Sequence, residues 1–114
     1  MTNSRQKGAR GERELSNKLK EYGYKSRRGQ QYCGANGDAD VVGLPGIHIE
    51  CKRVENLNLD KALEQATEDC NEETEFPTVF HRRNKKMWKV TMYLNDWIKL
   101  YNKYNASSPF ADDQ

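Results

Sequence analysis

The chain has 114 residues, the length of one domain with a core of modest size. Only 35% of the residues are apolar and 32% are charged, so each helix and strand is expected to keep one side in water. No apolar run reaches the roughly 18 residues of a membrane span, and the polar, basic N-terminus predicts no secretory signal. The three cysteines are odd in number and widely spaced, which argues against a zinc site or a disulfide framework and favours a reducing cytoplasm.

The charge is unevenly distributed, although the formal net charge of +2 does not by itself indicate a nucleic-acid partner. Basic residues cluster in the first 13 residues, at Arg27 and Arg28, and between Arg82 and Lys89. Acidic residues concentrate between Glu64 and Glu75. This pattern predicts one basic side and one acidic side.

The first predicted element is a helix. Residues 1–7 are expected to form a mobile basic arm, and the helix to span residues 8–22. At about 100° per residue, Glu12 falls on the apolar side of this helix with Leu15 and Leu19, whereas Glu14 falls on the opposite side among solvent-facing charges. A carboxylate in the first turn can have a purely structural role, because its negative charge interacts favourably with the positive end of the helix dipole. We favour a functional role for Glu12, as a third acid aimed at the hairpin described below.

The remaining elements follow in a simple order. A strand is predicted over residues 24–33, a flexible loop over 34–37, and a hairpin with strands 39–43 and 47–52. A second helix over 59–73, strands over 78–82 and 87–93, and a last helix capped by Asn95 complete one domain over residues 8–104. Residues 105–114 are expected to be a disordered tail. The order α-β-β-β-α-β-β-α predicts an α/β fold with a mixed central sheet flanked by helices.

The hairpin holds the candidate site. Along its second strand Ile47, Ile49 and Cys51 share an apolar face, while His48, Glu50 and Lys52 share the other. A three-residue turn over residues 44–46, with Gly46 in the left-handed conformation, sets Asp40 opposite Glu50. A two-residue turn would instead set Asp40 opposite Cys51 and bury an unpaired carboxylate, so the first register is favoured.

Two neighbouring carboxylates repel unless a cation lies between them. Oxygen ligands of this kind suit Mg²⁺ or Mn²⁺, and the backbone carbonyl of Cys51 could add one more. Lys52, on the same face, could hold an attacking water or steady a phosphate. The alternative, an ordinary exposed hairpin with an ion pair, remains open for any one of these residues.

The spaced Asp40 and Glu50-Cys51-Lys52 resemble the motif of the PD-(D/E)xK nuclease superfamily, which has the restriction-endonuclease-like fold. The opening segment GARGEREL, residues 8–15, resembles the first helix of the archaeal-type Holliday junction resolvases and their phage relatives. The resemblance covers residues 8–101. Ala39 departs from it, standing where the motif has Pro, and Asp38 is an extra acid that could be a ligand but is placed in the loop.

The resemblance implies a role for each matching residue. It makes Glu12, Asp40 and Glu50 metal-binding acids and Lys52 the catalytic lysine, and Gln65 resembles a glutamine found near such sites. It implies a magnesium- or manganese-dependent endodeoxyribonuclease, most similar to junction resolvases. Such enzymes act in DNA recombination on four-way junctions as homodimers, here in the cytoplasm of a bacterial, archaeal or phage-infected cell.

Two other interpretations stay open. The chain could be another nuclease of the superfamily, with a nicking, repair or restriction-like role, or a non-catalytic DNA-binding module. In each case basic side chains would hold phosphates without reading sequence. An ordinary solvated surface is the alternative for each of them taken alone. The predicted DNA-binding residues are Arg10, Arg27, Arg28, Arg82, Arg83, Lys85, Lys86 and Lys89.

Overall fold

A computed structural model describes the backbone of residues 4–29 and 39–107, and side chains from residue 8 onward. The element order is the predicted one. Among the helices of this part of the chain, none is long and apolar enough to cross a membrane. The elements are α1 Ser4–Glu21, β1 Arg27–Arg28, β2 Val41–Val42, β3 Ile47–Arg53, α2 Leu59–Asp69, β4 Phe76–Arg82, β5 Lys89–Thr91 and α3 Leu94–Ala106.

The five strands form one mixed sheet in the order β1-β2-β3-β4-β5. Strands β3 and β4 are parallel, and the other neighbouring pairs are antiparallel. Parallel neighbours need a crossover connection, and α2 provides it. The predicted α/β architecture, a mixed sheet flanked by helices, is confirmed and is consistent with a restriction-endonuclease-like fold.

The hairpin adopts the favoured register. Val41 lies opposite Ile49, so Asp40 faces Glu50. The Ile47 N–H donates to the Leu44 carbonyl at 3.0 Å, which closes the turn. Gly46 has φ +88°, a conformation that a residue with a Cβ rarely adopts. The predicted three-residue turn is therefore confirmed.

Both faces of the sheet are covered. On one face, the buried cluster joins Leu15 of α1 to Val41, Ile49, Cys51 and Phe80 of the strands, as the apolar face of β3 predicted. On the other face, α2 packs on β4 through Ala62, Leu63 and Val79. Since neighbours along a strand alternate, the second face is also that of His48 and Glu50. Both of these polar residues are consequently buried.

Several predicted boundaries are wrong. Helix α1 begins at Ser4, four residues before the predicted start at residue 8, so its backbone includes part of the predicted arm. In the described part of the strand predicted over 24–33, residues 24–29, the structure has a strand at Arg27–Arg28; residues 30–38, with the predicted loop and Asp38, lie outside the described residues. Helix α2 ends at Asp69, four residues before the predicted end. The tail predicted from residue 105 begins within α3, and residues 108–114 are not described.

Helix α3 differs most from expectation. It starts at Leu94 with Tyr93 at the cap position, so Asn95 is not its cap. None of its side chains is buried against the described residues. Trp97 is 47% exposed and stacks on Tyr101 with ring centroids 5.2 Å apart. Trp88, by contrast, packs against the core cluster.

Candidate active site

The backbone of Asp40 is held from both sides. Its carbonyl accepts from the Gly29 N–H at 2.9 Å, and its N–H donates to the Ile49 carbonyl at 3.1 Å. The side chain reaches β3 as well, because the Cys51 N–H donates to Oδ2 at 2.8 Å. Three residues from two segments therefore keep this carboxylate beside Glu50.

Glu50 is a buried carboxyl, with 4% of the residue exposed. Burial raises its pKa to about 8, and the nearby charge of Asp40 acts in the same direction. The ammonium of Lys52 opposes this shift from a distance of 3.5 Å between Nζ and Oε1. One lysine does not offset both burial and the second carboxylate, so the pair favours an added cation.

Glu12 reaches the same place from α1. Its side chain is only 12% exposed, and the Arg28 guanidinium donates to Oε1 from Nε at 3.0 Å. Burial raises the pKa of Glu12; the hydrogen bond from Arg28 lowers it, Asp40 raises it and Lys52 lowers it. Glu12 is thus close enough to Asp40 and Lys52 to share their electrostatic field, on the helix side that the sequence predicted.

The donor set at this point suits a divalent cation. Glu12, Asp40 and Glu50 offer carboxylate oxygens, the ligands that Mg²⁺ and Mn²⁺ prefer. Burial raises the pKa of both Glu12 and Glu50, and strongly shifted carboxyls of this kind are common at functional sites. The structure places Asp40 beside Glu50, Lys52 beside Glu50, and Glu12 near Asp40 and Lys52. The chemistry of these side chains fits a divalent metal ion.

Two other predicted site residues, Gln65 and Cys51, differ from the acids in where their side chains lie. Gln65 is on α2 with an exposed side chain. Cys51 points its sulfur into the core cluster, and burial raises the pKa of its thiol. The described contact of Cys51 with the site is its N–H bond to Asp40, so a role for its carbonyl stays a prediction.

The helical wheel predicted that Glu14 faces solvent, and this prediction is wrong. Its side chain is two-thirds buried and receives two arginines. The Arg53 Nε lies 3.2 Å from Oε2, and Arg82 donates to Oε1 from Nη1. Glu14 therefore connects α1 to the ends of β3 and β4 and has a structural role.

The predicted DNA-binding residues fall into two groups. Arg28 and Arg82 are engaged within the protein, by Glu12 and Glu14 respectively. The others have exposed side chains: Arg10, Arg27, Arg83, Lys85, Lys86 and Lys89. Within this second group, Arg27 also donates from Nη1 to the Arg28 carbonyl at 3.2 Å.

His48 and Asp69 are two polar residues whose proximity the sequence did not predict. His48 is 3% exposed, and its ring lies close to both Glu50 and Asp69. The alternation of β3 put His48 beside Glu50, but nothing in the sequence marked Asp69. The α2 crossover alone brings it there.

Comparison with known protein families decides the classification. Residues 3–113 match the model of the family described as phage putative PDDEXK endonuclease. The chain belongs to this family. The match spans nearly the whole sequence, which places the chain in the PD-(D/E)xK superfamily and supports nuclease activity, and nucleases of this kind generally use divalent metals. A search of curated proteins found no match.

Proposed function

We propose that this protein is a metal-dependent endodeoxyribonuclease that hydrolyses phosphodiester bonds in branched DNA, in the manner of a Holliday junction resolvase. The observation that supports it best is the pair Asp40 and Glu50, set face to face on neighbouring strands. Lys52 lies 3.5 Å from Glu50, and Glu12 of α1 lies near Asp40 and Lys52. A protein that only binds DNA gains little from three acids facing phosphate.

Asp40, Glu50 and Glu12 are the residues that would hold Mg²⁺ or Mn²⁺. The bound ion supplies the means to lower the pKa of a water molecule and to neutralise charge developing on the phosphate. Lys52 is placed to hold that water or a phosphate oxygen, since its side chain is 31% exposed and carries a compact charge. Arg28 and Cys51 orient the acids Glu12 and Asp40 through hydrogen bonds.

The exposed basic residues of the β4–β5 turn would hold the DNA backbone. Arg83, Lys85 and Lys86 project there with exposed side chains. Lys85 has φ +61°, so it occupies the tight point of the turn. Contacts of this type position the duplex without selecting a base sequence.

A homodimer would account for symmetric cutting of the two strands at a junction. The supporting observation is the unburied apolar stripe on α3. Leu94, Trp97, Tyr101 and Tyr104 recur at alternating spacings of three and four, the pattern of a coiled-coil seam, and each is at least 43% exposed. We propose that two copies pack through these helices, with one site in each.

The activity is tested with a synthetic four-way junction incubated with Mg²⁺, Mn²⁺ or EDTA. Linear duplex, flap and single-stranded DNA of the same sequences are compared in parallel. Metal-dependent cleavage with preference for the junction supports the proposal. Preference for another substrate would identify a different nuclease of the superfamily. DNA binding without metal-dependent cleavage of any substrate would exclude nuclease activity and favour a non-catalytic DNA-binding protein.

The dimer is tested by light scattering during size-exclusion chromatography. The wild-type protein is expected to elute with twice the chain mass, and a variant with Trp97→Ser and Tyr101→Ser as a monomer. Because neither side chain is buried in the core, the variant should keep its fold, which circular dichroism can verify. A wild-type monomer at all concentrations would refute the dimer.

A further inference from the structure

A second group of potential ligands lies beside the candidate active site. One ring nitrogen of His48 and one carboxylate oxygen each of Glu50 and Asp69 all lie within 4.8 Å of one another. We infer that these three side chains form a second cation site, selective for a transition metal ion of the Zn²⁺ class and sharing Glu50 with the first site.

The fold builds this group from two elements. His48 and Glu50 are two residues apart on β3, so both side chains lie on the sheet face that α2 covers. Asp69 is the last residue of α2 and follows another acid, Glu68. The last turn of α2, described in full, holds no basic residue, although the carbonyl end of a helix favours positive charge. A cation would remove this mismatch.

An independent observation is the state of the His48 ring. Its Nε2 is buried and has no hydrogen-bond partner in the described part of the chain. A buried polar atom left in this way costs free energy comparable to a lost hydrogen bond. A neutral imidazole nitrogen that coordinates a metal ion is no longer unsatisfied.

The other ring nitrogen faces an acid. His48 Nδ1 lies 3.7 Å from Oε1 of Glu75, and that oxygen is itself held by the Asn71 N–H at 2.9 Å. Histidines that bind metals commonly direct their second nitrogen to a carboxylate, which fixes the ring orientation. Glu75 is placed for this supporting role.

The donor types decide the class of ion. An imidazole with two carboxylates suits Zn²⁺, Co²⁺ or Mn²⁺, whereas Mg²⁺ prefers oxygen ligands and bound water. Ligand atoms that bind one Zn²⁺ ion at about 2.0–2.2 Å lie within about 4.4 Å of one another. The three ligand atoms, all within 4.8 Å of one another, need at most small side-chain movements to reach this spacing. Asp69 is exposed and can make that adjustment.

An ion can reach the group from solvent. A cleft of about 590 Å³ is lined by His48, Asp69 and Glu75 together with the β2–β3 turn. Because Glu50 belongs to both groups, an ion held here competes for the carboxylate that the proposed magnesium centre uses. We therefore expect Zn²⁺ to inhibit cleavage, a consequence that rests on the proposed function, whereas the binding itself does not.

The binding is measured by calorimetric titration of the metal-free protein with Zn²⁺. His48→Gln and Asp69→Asn are each expected to weaken binding at least about tenfold, and Glu75→Gln by roughly tenfold through the ring orientation. Glu68→Gln is the matched control, since it removes the same charge from the same helix end and should bind like the wild type. Wild-type affinity in His48→Gln and Asp69→Asn, or equal losses in Asp69→Asn and Glu68→Gln, would overturn the inference.

Co²⁺ provides a second readout. Its visible absorption reports nitrogen and oxygen coordination, so the wild type should give a band that His48→Gln and Asp69→Asn lack. Since Asp69 is exposed, its variant keeps the fold and remains informative if His48→Gln unfolds. Absence of a Co²⁺ band in the wild type would also overturn the site. If the Co²⁺ band depends on His48 but the protein cleaves no DNA, the second metal site is supported and the proposed nuclease activity is refuted.

Discussion

The Cys51 N–H donates to Oδ2 of Asp40 at 2.8 Å, joining a carboxylate that precedes β2 to the backbone of β3. This bond holds the two candidate metal-binding acids at one level of the sheet, because Cys51 follows Glu50 directly. The position of Asp40 therefore depends on a backbone donor as much as on its own strand.

Asp40→Asn separates the charge of this residue from its hydrogen bond. The amide oxygen can still accept from Cys51, so the free energy of unfolding should change little, whereas a metal-binding charge is lost. We expect DNA cleavage to fall at least about hundredfold with a melting temperature near that of the wild type. Asp40→Ala, which loses both charge and bond, should be inactive and also less stable. Retained cleavage in Asp40→Asn would exclude Asp40 as a ligand.

Glu50 predicts a specific pH dependence of stability. Its pKa is raised from 4.5 to about 8 in the folded protein, so the fold retains a proton that the unfolded chain releases. The free energy of unfolding of the metal-free protein should therefore fall as the pH rises through this window. Glu50→Gln is neutral in both states and should lack this fall.

Thermal melts from about pH 5 to about pH 9 measure the effect. Above pH 8, the Glu50→Gln variant should melt about 5 °C or more above the metal-free wild type. Addition of Mg²⁺ should raise the melting temperature of the wild type but not of the variant, since an ion that binds the fold stabilises it. If the melting temperatures of the two proteins depended on pH in the same way across this range, the raised pKa of Glu50 would be contradicted.

Substitutions of Glu12 and Glu14, two residues apart on α1, should affect different properties of the protein: cleavage for Glu12 and stability for Glu14. Glu12→Gln removes a proposed metal ligand and should abolish cleavage with little loss of stability. Glu14→Gln releases Arg53 and Arg82 and should cost about 1 kcal/mol of stability, since the pairs are partly exposed. Cleavage by folded Glu14→Gln protein should be close to wild type. Equal loss of activity from both variants would show that helix position does not distinguish them.

Gly11 sets the distance between α1 and β3. A Cβ at this position would lie 2.6 Å from Cβ of Arg53, a contact that a rotamer change of Arg53 cannot relieve. Gly11→Ala should lower stability although alanine favours helices, and should reduce cleavage because Glu12 is displaced. Gly8→Ala is the control: nothing lies within 4 Å of its Cβ, so it should be neutral or stabilising by up to about 1 kcal/mol. Chemical denaturation of both variants gives the comparison.

The β4–β5 turn predicts a salt-dependent contribution to DNA binding. Reversing two exposed charges, Arg83→Glu with Lys85→Glu, should weaken binding and reduce the slope of log K against log salt by roughly 1 to 2. Lys61→Glu on α2 makes the same kind of change on the acidic side and should have a smaller effect on the slope. Fluorescence anisotropy at several salt concentrations measures it, and an unchanged slope in the double variant would exclude this surface.

Local chemistry made much of the fold predictable. The alternation of β3, the turn at Pro45-Gly46 and the cost of burying a carboxylate sufficed to set Asp40 opposite Glu50. The wheel of α1 sufficed to direct Glu12 inward. These features depend on residues near one another in sequence, where the geometry of one strand, one turn or one helix is the whole constraint.

Tertiary structure decided which charges are free and which are paired. Glu14 meets Arg53 and Arg82, and Arg28 meets Glu12, across separations of 16 to 68 residues that no local pattern encodes. The α2 crossover likewise brings Asp69 to His48, and α3 leaves Trp97 about half exposed. The sequence by itself determined which residues could do the chemistry, because spacing sets the face of an element. The tertiary structure determined their neighbours, because contacts between distant elements depend on how the whole chain packs.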